Sequence, residues 1–399
     1  MLEKLMKLCY FSKFKKKVTH MFGRFLLPGS FLKLMSAAAT GGMILAATPT
    51  VSATLNPDDF ASLGALSGAS IALESSSLTF NGGAGGVLVS QGSGLPDIAV
   101  FTFDGGSTLG DVVVSGLNPI AILFRGSATI GGLIDVSGIG RTGVAGGADG
   151  GLGGSAAGDG EGPGGGLGGS TSASTSGIGS GSGGGFGTQG EAGGAGITFR
   201  AGGLAYGDPL SDGLQAGSGG GAGGWGNIRR GGSGGAGGGA LEIGATGKLR
   251  FDGATIVANG ADGGTSFAGG GGGSGGGLLV HAFDIEIAAS ALLTANGGDG
   301  GNFGAIGNQG GCGGAGRIEM LYNPAGSFVN LGTVEAKSGT GSIFCEPSVN
   351  IFTVATDSSI GTPLPPPDIS PVPVPASVVS FGSGLALFGI VGWRRRRAA

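Results

Sequence analysis

Acidic residues recur in one kind of turn. Gly-Ala-Asp-Gly-Gly stands at 147–151 and 260–264, and Gly-Gly-Asp-Gly-Gly at 297–301. The carboxylates of Asp149, Asp262 and Asp299 are hard donors that suit Ca²⁺, but that ion takes six to eight oxygens. One Asp per repeat is too sparse a supply, and Asp and Gly are ordinary turn residues. A second group could do acid–base chemistry on a carbohydrate: Lys248, Arg250, Asp252, Asp284 and Glu286. Glycoside hydrolysis needs two carboxylates ~5–9.5 Å apart, and a lyase needs acids beside a base. The same five residues are equally explained as salt bridges or as solvated charges. Nucleophilic catalysis requires a base next to the nucleophile. Beyond residue 20 the only His is His281, expected on a strand as a packing or surface residue. No catalytic, cofactor or metal residue is assigned. Phosphate-loop patterns match trivially in so much Gly and need a strand–loop–helix context.

Cys312 and Cys345 are the cysteines outside the N-terminal segment, where Cys9 lies. They are 33 residues apart, just under one repeat. In an oxidising compartment they can staple the last rung; two free thiols are the alternative.

Those residues must be positioned by an unusual body. Gly accounts for 99 of 399 residues, and charged residues for only 12%. The Gly runs lack the every-third-residue pattern of collagen, and Gly disfavours helices. Lys and Arg cluster at the two ends. Between 54 and 375 there are nine, against 24 Asp and Glu, a net charge of −15. That balance argues against nucleic acid as a partner.

Apolar segments interrupt the Gly at regular intervals. Gly239-Ala240-Leu241-Glu242-Ile243 recurs as Gly277-Leu278-Leu279-Val280-His281 and as Gly316-Arg317-Ile318-Glu319-Met320, in steps of 38 and 39 residues. Second segments follow at 132–137, 254–259, 291–296 and 332–337. Repeats of this length mark solenoids, propellers or arrays. The second segments put Ile134, Ile256, Leu293 and Val334 on one face, with Val136, Ala258, Ala295 and Ala336 beside them. Such short strands bury an apolar face only by stacking copy on copy. The exit residues Asn259 and Asn296 then stack, at corners where Asn tolerates positive φ. Lys248-Leu249-Arg250-Phe251 aligns with Asp284-Ile285-Glu286-Ile287, predicting Lys248 beside Asp284 and Arg250 beside Glu286. Further strands are expected at 70–74, 78–80, 87–90, 98–103, 112–115 and 120–124, and a weak rung at 197–200. The Gly-richest stretch, 139–238, is either of low order or a set of tightly packed backbone layers, which Gly permits.

Both ends read as addresses. Lys4, Lys7, Lys13, Lys15, Lys16, Lys17 and Arg24 precede an apolar stretch centred on 34–47, then Val51-Ser52-Ala53. This is the layout of a signal peptide cut by signal peptidase after Ala53; the alternative is an uncleaved membrane helix, and Met21 is a possible start. At the other end, a Pro-rich spacer at 362–375 leads to 18 uncharged residues, 376–393, long enough for a membrane helix. The arginines that follow would stay cytoplasmic.

Val372-Pro373-Val374-Pro375-Ala376, then Phe381-Gly382-Ser383-Gly384-Leu385, then Arg394, Arg395, Arg396 and Arg397 resemble the PEP-CTERM sorting signal of Gram-negative bacteria. The closest variant is the Val-Pro-Leu-Pro-Ala type, with Val374 in place of the usual Glu. The resemblance covers about 30 residues. It implies processing by an exosortase and export to the cell surface or matrix, often alongside exopolysaccharide; a plain single-span anchor has the same topology. The body at 65–340 resembles Gly-rich parallel β-helix proteins of bacterial surfaces.

The expected molecule is all-β: a Gly-rich right-handed parallel β-helix or solenoid with an N-terminal signal helix and a C-terminal transmembrane helix. Its expected parts are a signal peptide (1–53), first rungs (54–137), a Gly-rich excursion (138–238), solenoid repeats (239–345), a terminal segment with linker (346–375) and the sorting segment (376–399). The expected role is structural or adhesive and non-enzymatic. A polysaccharide-binding or polysaccharide-cleaving β-helix is the runner-up, and a spacer of purely mechanical length is the third reading.

Overall fold

Alternating strands too short to bury their own apolar faces must stack, and the chain does so by repeating one circuit. The computed structural model describes residues 54–361, apart from 93, 156, 173–177, 195–199, 208–212, 227–228, 303–307, 342–344 and 346–349. The signal segment with Ala53 and the sorting residues Val372, Pro373, Val374, Pro375, Ala376 and Arg394–Arg397 lie outside the described residues. So does most of the weak rung expected at 197–200.

The first circuit contains β1 (Ile71–Glu74), the short β2 (Thr79–Phe80), β3 (Gly83–Ala84) and β4 (Val87–Val89), then β5 (Ile98–Asp104), β6 (Ser107–Leu109) and β7 (Val112–Ser115). The next has β8 (Ile120–Arg125), β9 (Ala128–Ile130) and β10 (Leu133–Asp135). After a long interval come β11 (Ala240–Phe251) with β12 (Thr255–Val257), and β13 (Gly277–Ile287) with β14 (Leu292–Thr294). Last are β15 (Arg317–Tyr322), β16 (Phe328–Asn330), β17 (Thr333–Glu335) and β18 (Phe352–Thr356).

The described chain is all-β with parallel sheets. One sheet runs β17-β14-β12-β10-β7-β1-β2-β3 and the other β18-β15-β13-β11-β8-β5-β4, with β6, β9 and β16 beside the second halves of the long strands. Pairing is parallel except at β2, β3 and β4, whose antiparallel turns close the N-terminal end. The six upstream segments expected to be strands all are.

Register follows the pattern of the second segments. Leu133, Thr255, Leu292 and Thr333 are successive partners, as are Ile134, Ile256, Leu293 and Val334. The second row is buried, with Val136, Ala258, Ala295 and Ala336 beneath it. Facing them across the interior are Phe101, Ile122, Ile243, Val280 and Met320. Each circuit thus closes a core that no single strand could.

The long strands differ from expectation by one residue. Ala240 pairs with Gly277 and Gly244 with His281, not Gly239 with Gly277 or Ile243 with His281. Gly277 in turn pairs with Arg317, not with Gly316. A register irregularity between Ala245 and Lys248 then restores the alignment of Lys248 with Asp284 and Arg250 with Glu286. Because side chains alternate, a slip of one exchanges the two faces, and His281 comes to lie on the outer face of its sheet.

The interval 138–238 forms close-packed backbone layers wherever it is described. Segment 217–224 donates its N–H groups in rotation. Gly217, Gly220 and Gly223 give to the carbonyls of Gly238, Gly235 and Gly232. Gly219 and Ala222 give to Glu161 and Gly158, and Gly221 and Gly224 to Ser182 and Gly179. Segment 269–277 does the same: Gly269, Gly272 and Gly275 to 308–314, Gly270, Gly273 and Gly276 to 258–264, and Gly271 and Ser274 to 218–221. Three residues per turn with no internal bond is the geometry of polyproline II. Here each turn bonds three neighbouring segments instead of water. The bonds are 2.7–3.0 Å long, so neighbours lie about as far apart as strands in a sheet, ~4.8 Å. Both arrays can therefore share one repeat.

Such packing excludes side chains. A Cβ on Gly181 would meet the carbonyl oxygen of Gly221 at 2.0 Å, and one on Gly220 that of Gly271 at 2.2 Å. Between circuits the chain leaves along one Gly segment and returns along another, 258–264 out and 268–277 back. The turns are cross-linked by side chains that accept the next circuit's N–H. Asn259 Oδ1 takes Asn296 N–H at 2.7 Å, and Asn296 Oδ1 takes Lys337 N–H at 2.8 Å. The two Asn do stack, but neither has positive φ; their amides, not their backbone tolerance, are what the corner uses.

Candidate functional sites

The charged group on β11 and β13 is a set of ion pairs. Lys248 and Asp284 are partners in the backbone register, yet the Lys248 ammonium pairs diagonally with Glu286. Arg250 lies 3.5 Å from Glu286 and 2.9 Å from Asp252. Asp284 instead accepts the Ser327 N–H and hydroxyl, both at 2.8 Å. The expected Lys248–Asp284 contact is thus replaced, because Ser327 on the next circuit offers Asp284 two closer donors. The hydrogen bond from Lys248 holds the Glu286 carboxyl below its ordinary range, aided by the charges of Lys248 and Arg250. The group acts as exposed cross-links between circuits.

The turn carboxylates are engaged in the same way. Asp149 Oδ1 accepts Gly143 N–H at 2.9 Å, and Asp262 Oδ1 accepts Asp299 N–H at 2.7 Å. Asp299 Oδ1 accepts from Thr340 at 2.6 Å and Gly341 at 2.9 Å. Asp262 and Asp299 thus each tie one circuit to the next backbone, whereas Asp149 closes its own turn. Among the described residues, no three of His, Cys, Asp and Glu come together as a metal would require.

Alignment by sequence missed a buried pair. His281 Nε2 lies 2.9 Å from Glu242 Oε1, and both side chains are almost wholly buried. The imidazole fits because its neighbour in register is Gly244, where a Cβ would stand 2.1 Å from Nε2. The same Glu242 oxygen accepts the Leu55 N–H at 2.8 Å. Leu55 and Phe60 pack with Leu214, Leu279, Leu321 and Ile360 into a second apolar cluster over this outer face. Arg125 adds hydrogen bonds to the carbonyls of Pro57, Asp58 and Phe60. The pair therefore anchors the segment that follows Ala53 in sequence. The one legible signal was the coincidence of a Gly and a His at matching positions, readable only in the correct register.

A second buried polar knot joins the Gly layers to the sheets. Tyr206 donates to Ala216 O at 2.5 Å and receives the Ser218 hydroxyl at 3.1 Å. Burial pushes its phenol up to about 12. Arg317 donates to Tyr206 O at 2.6 Å, and its guanidinium lies 5.1 Å from the Phe186 ring centre.

Cys312 and Cys345 form a disulfide with their Cα atoms 5.6 Å apart, inside the ordinary range. It fastens the Gly segment 308–316 to the chain before β18. Among the described residues, no helix is long and apolar enough to cross a membrane. No protein-family model, curated protein or solved structure matches this chain.

Proposed function

We propose that the protein is an exported, non-enzymatic structural or adhesive component of a Gram-negative cell surface or extracellular matrix. In this reading a signal peptidase cuts after Ala53. An exosortase-type enzyme acts on the segment from Val372-Pro373-Val374-Pro375-Ala376 to Arg394–Arg397, which spans the inner membrane in transit. The body is a Gly-rich, right-handed β-solenoid joined along its length to a bundle of Gly segments.

The observation that carries the reading is the rotation of hydrogen bonds in the Gly segments. A backbone bonded to three neighbours resists pulling apart in several directions, as a load-bearing scaffold must. The chemically able side chains are engaged in the same scaffold: Asp262 and Asp299 on backbone N–H groups, Lys248 with Glu286. The disulfide suits an oxidising compartment, and the PEP-CTERM-like signal suits delivery to it.

The test is fractionation of tagged full-length protein with and without residues 372–399. Sorting predicts that the deleted form stays in the periplasm or inner membrane while the complete chain reaches the surface. Identical fractionation of the two would reject the sorting role.

A further inference from the structure

Glu242 is a carboxylate almost wholly out of water, 1% exposed, and a buried charge is costly unless it is paired. Its partners are the His281 imidazole at 2.9 Å and the Leu55 N–H at 2.8 Å, both on Oε1. Among the described residues, no Lys or Arg pairs with it. Arg125, at the end of the neighbouring strand β8, donates instead to the carbonyls of Pro57, Asp58 and Phe60.

The segment that carries Leu55 is firmly seated. Leu55 and Phe60 pack over Leu279 and Leu321. Pro57–Asp59 form one 3-10 turn, capped by Asn56 Oδ1 accepting the Asp58 N–H at 3.2 Å. Leu63 N–H then reaches Thr102 O at 2.8 Å. The seated path begins at Thr54, which is half-buried. Covalent geometry places Thr54 N less than ~4 Å from Leu55 N. With Leu55 N 2.8 Å from Glu242 Oε1, Thr54 N stands within ~7 Å of that carboxylate.

In the chain as translated, this nitrogen is an amide. Hydrolysis of the Ala53–Thr54 bond adds one water. The carboxylate leaves with Ala53, and Thr54 keeps the nitrogen as an α-ammonium, charged below pH ~8.

We propose that the Glu242–His281 pair is a binding site for this α-ammonium, so that the N-terminus created by signal peptidase closes onto Glu242. The new chain end has lost its upstream tether. Rotation about the Thr54 Cα–C bond swings the ammonium to the carboxylate while the Leu55 N–H keeps its bond. The resulting bond is charge-assisted, and it forms where water screens little. Removal of residues 1–53 thus supplies the counter-charge that the buried carboxylate lacks. The cover over Leu279 and Leu321 is accordingly held more firmly in the mature chain. The inference rests on the cleavage after Ala53 proposed above and adds what that cleavage does to the fold.

The test uses the full-length exported chain, purified in mild detergent, with its first residue read by N-terminal sequencing. The comparison protein carries Gly-Ser inserted between Ala53 and Thr54, which moves the ammonium ~7 Å along the chain and leaves every side chain of the body in place. Two quantities are read: the rate at which the α-amine reacts with acetic anhydride, and hydrogen exchange of the 55–63 amides. The native terminus should react and exchange ~10-fold more slowly than the extended one, as expected for a hydrogen bond between charged groups. Glu242→Gln keeps an acceptor for Leu55 and His281 but removes the charge, so in that background the native and extended chains should behave alike. Unchanged exchange at 217–224 in all four proteins separates the result from misfolding. A chain that starts at Thr54 yet reacts and exchanges like the extended form would overturn the proposal and leave the cleavage reading intact. So would a difference that persists in Glu242→Gln, which would give the ammonium another partner. A chain that starts elsewhere would overturn both. None of these outcomes bears on sorting, which the 372–399 deletion reads independently.

Discussion

Replacing Gly181 with Ala tests the Gly packing directly. The new Cβ would stand 2.0 Å from Gly221 O and 2.7 Å from Ala222 O, both backbone atoms of one neighbouring segment. Real Cβ contacts essentially never fall below 3.0 Å, so that segment must retreat by at least about 1 Å. Its own bonds resist. Gly221 donates to Ser182 at 2.9 Å and Gly224 to Gly179 at 2.8 Å, and about 1 Å of stretch takes both beyond hydrogen-bonding range. Each lost bond strands buried groups at ~1–3 kcal/mol. The substitution should therefore cost about 3–5 kcal/mol. Gly83→Ala is the matched control, because its Cβ would meet nothing closer than Phe80 O at 3.7 Å; it should fall within ~0.5 kcal/mol of wild type. Urea denaturation followed by circular dichroism gives the totals. Hydrogen exchange on 179–187 and 217–224 should show Gly181→Ala releasing those amides first. If Gly181→Ala costs no more than Gly83→Ala and leaves exchange unchanged, the segments are not packed backbone against backbone.

Four further outcomes follow from the geometry. Reducing Cys312–Cys345, or replacing both with Ser, opens a loop of 33 residues and should cost about 3–4 kcal/mol in the chain-entropy account, read as a lower melting temperature with reductant. Glu242→Ala leaves His281 and the Leu55 N–H buried without their acceptor, and should cost about 2–5 kcal/mol, at ~1–3 kcal/mol for each stranded group; limited proteolysis should then cut within 55–60, where wild type resists. Glu286 is held below its ordinary carboxylate range, chiefly by the Lys248 hydrogen bond. Its stabilisation is present in full above the unfolded pKa and is lost as pH falls through the depressed folded value. Carbon-detected NMR should show the Glu286 titration midpoint rising in Lys248→Ala. Tyr206 is raised to about 12 by burial. Stability linked to it is complete below the unfolded value near 10 and lost as pH rises toward 12, so absorbance at 295 nm should show one phenol ionising late, together with unfolding.

Some of this architecture is legible in the sequence alone. The second segments carry a strict period of two, and their copies differ little in length. Ile134, Ile256, Leu293 and Val334 could therefore stack only one way, and they do. The long strands were harder. Ala240-Leu241 and Leu278-Leu279 are apolar on both faces, because Leu55, Leu214 and Ile360 cover the outside. A strand buried on both sides has no alternation to fix its register, and the alignment slipped by one. The buried Glu242–His281 pair was hidden by that slip.

The sequence by itself determined that strands alternate with Gly runs, that copies must stack to shelter their apolar faces, and that cations gather at the ends. These follow from local pattern and composition, which need no partner to be read. Only the tertiary structure decided what the Gly runs do. A polyglycine stretch carries no periodic side chains, so its sequence is equally compatible with a loose linker and with a close-packed layer. What separates the two is whether three other backbones lie within ~5 Å to take its hydrogen bonds. That is a property of where distant segments meet, as Gly221 meets Ser182 and Gly271 meets Gly221.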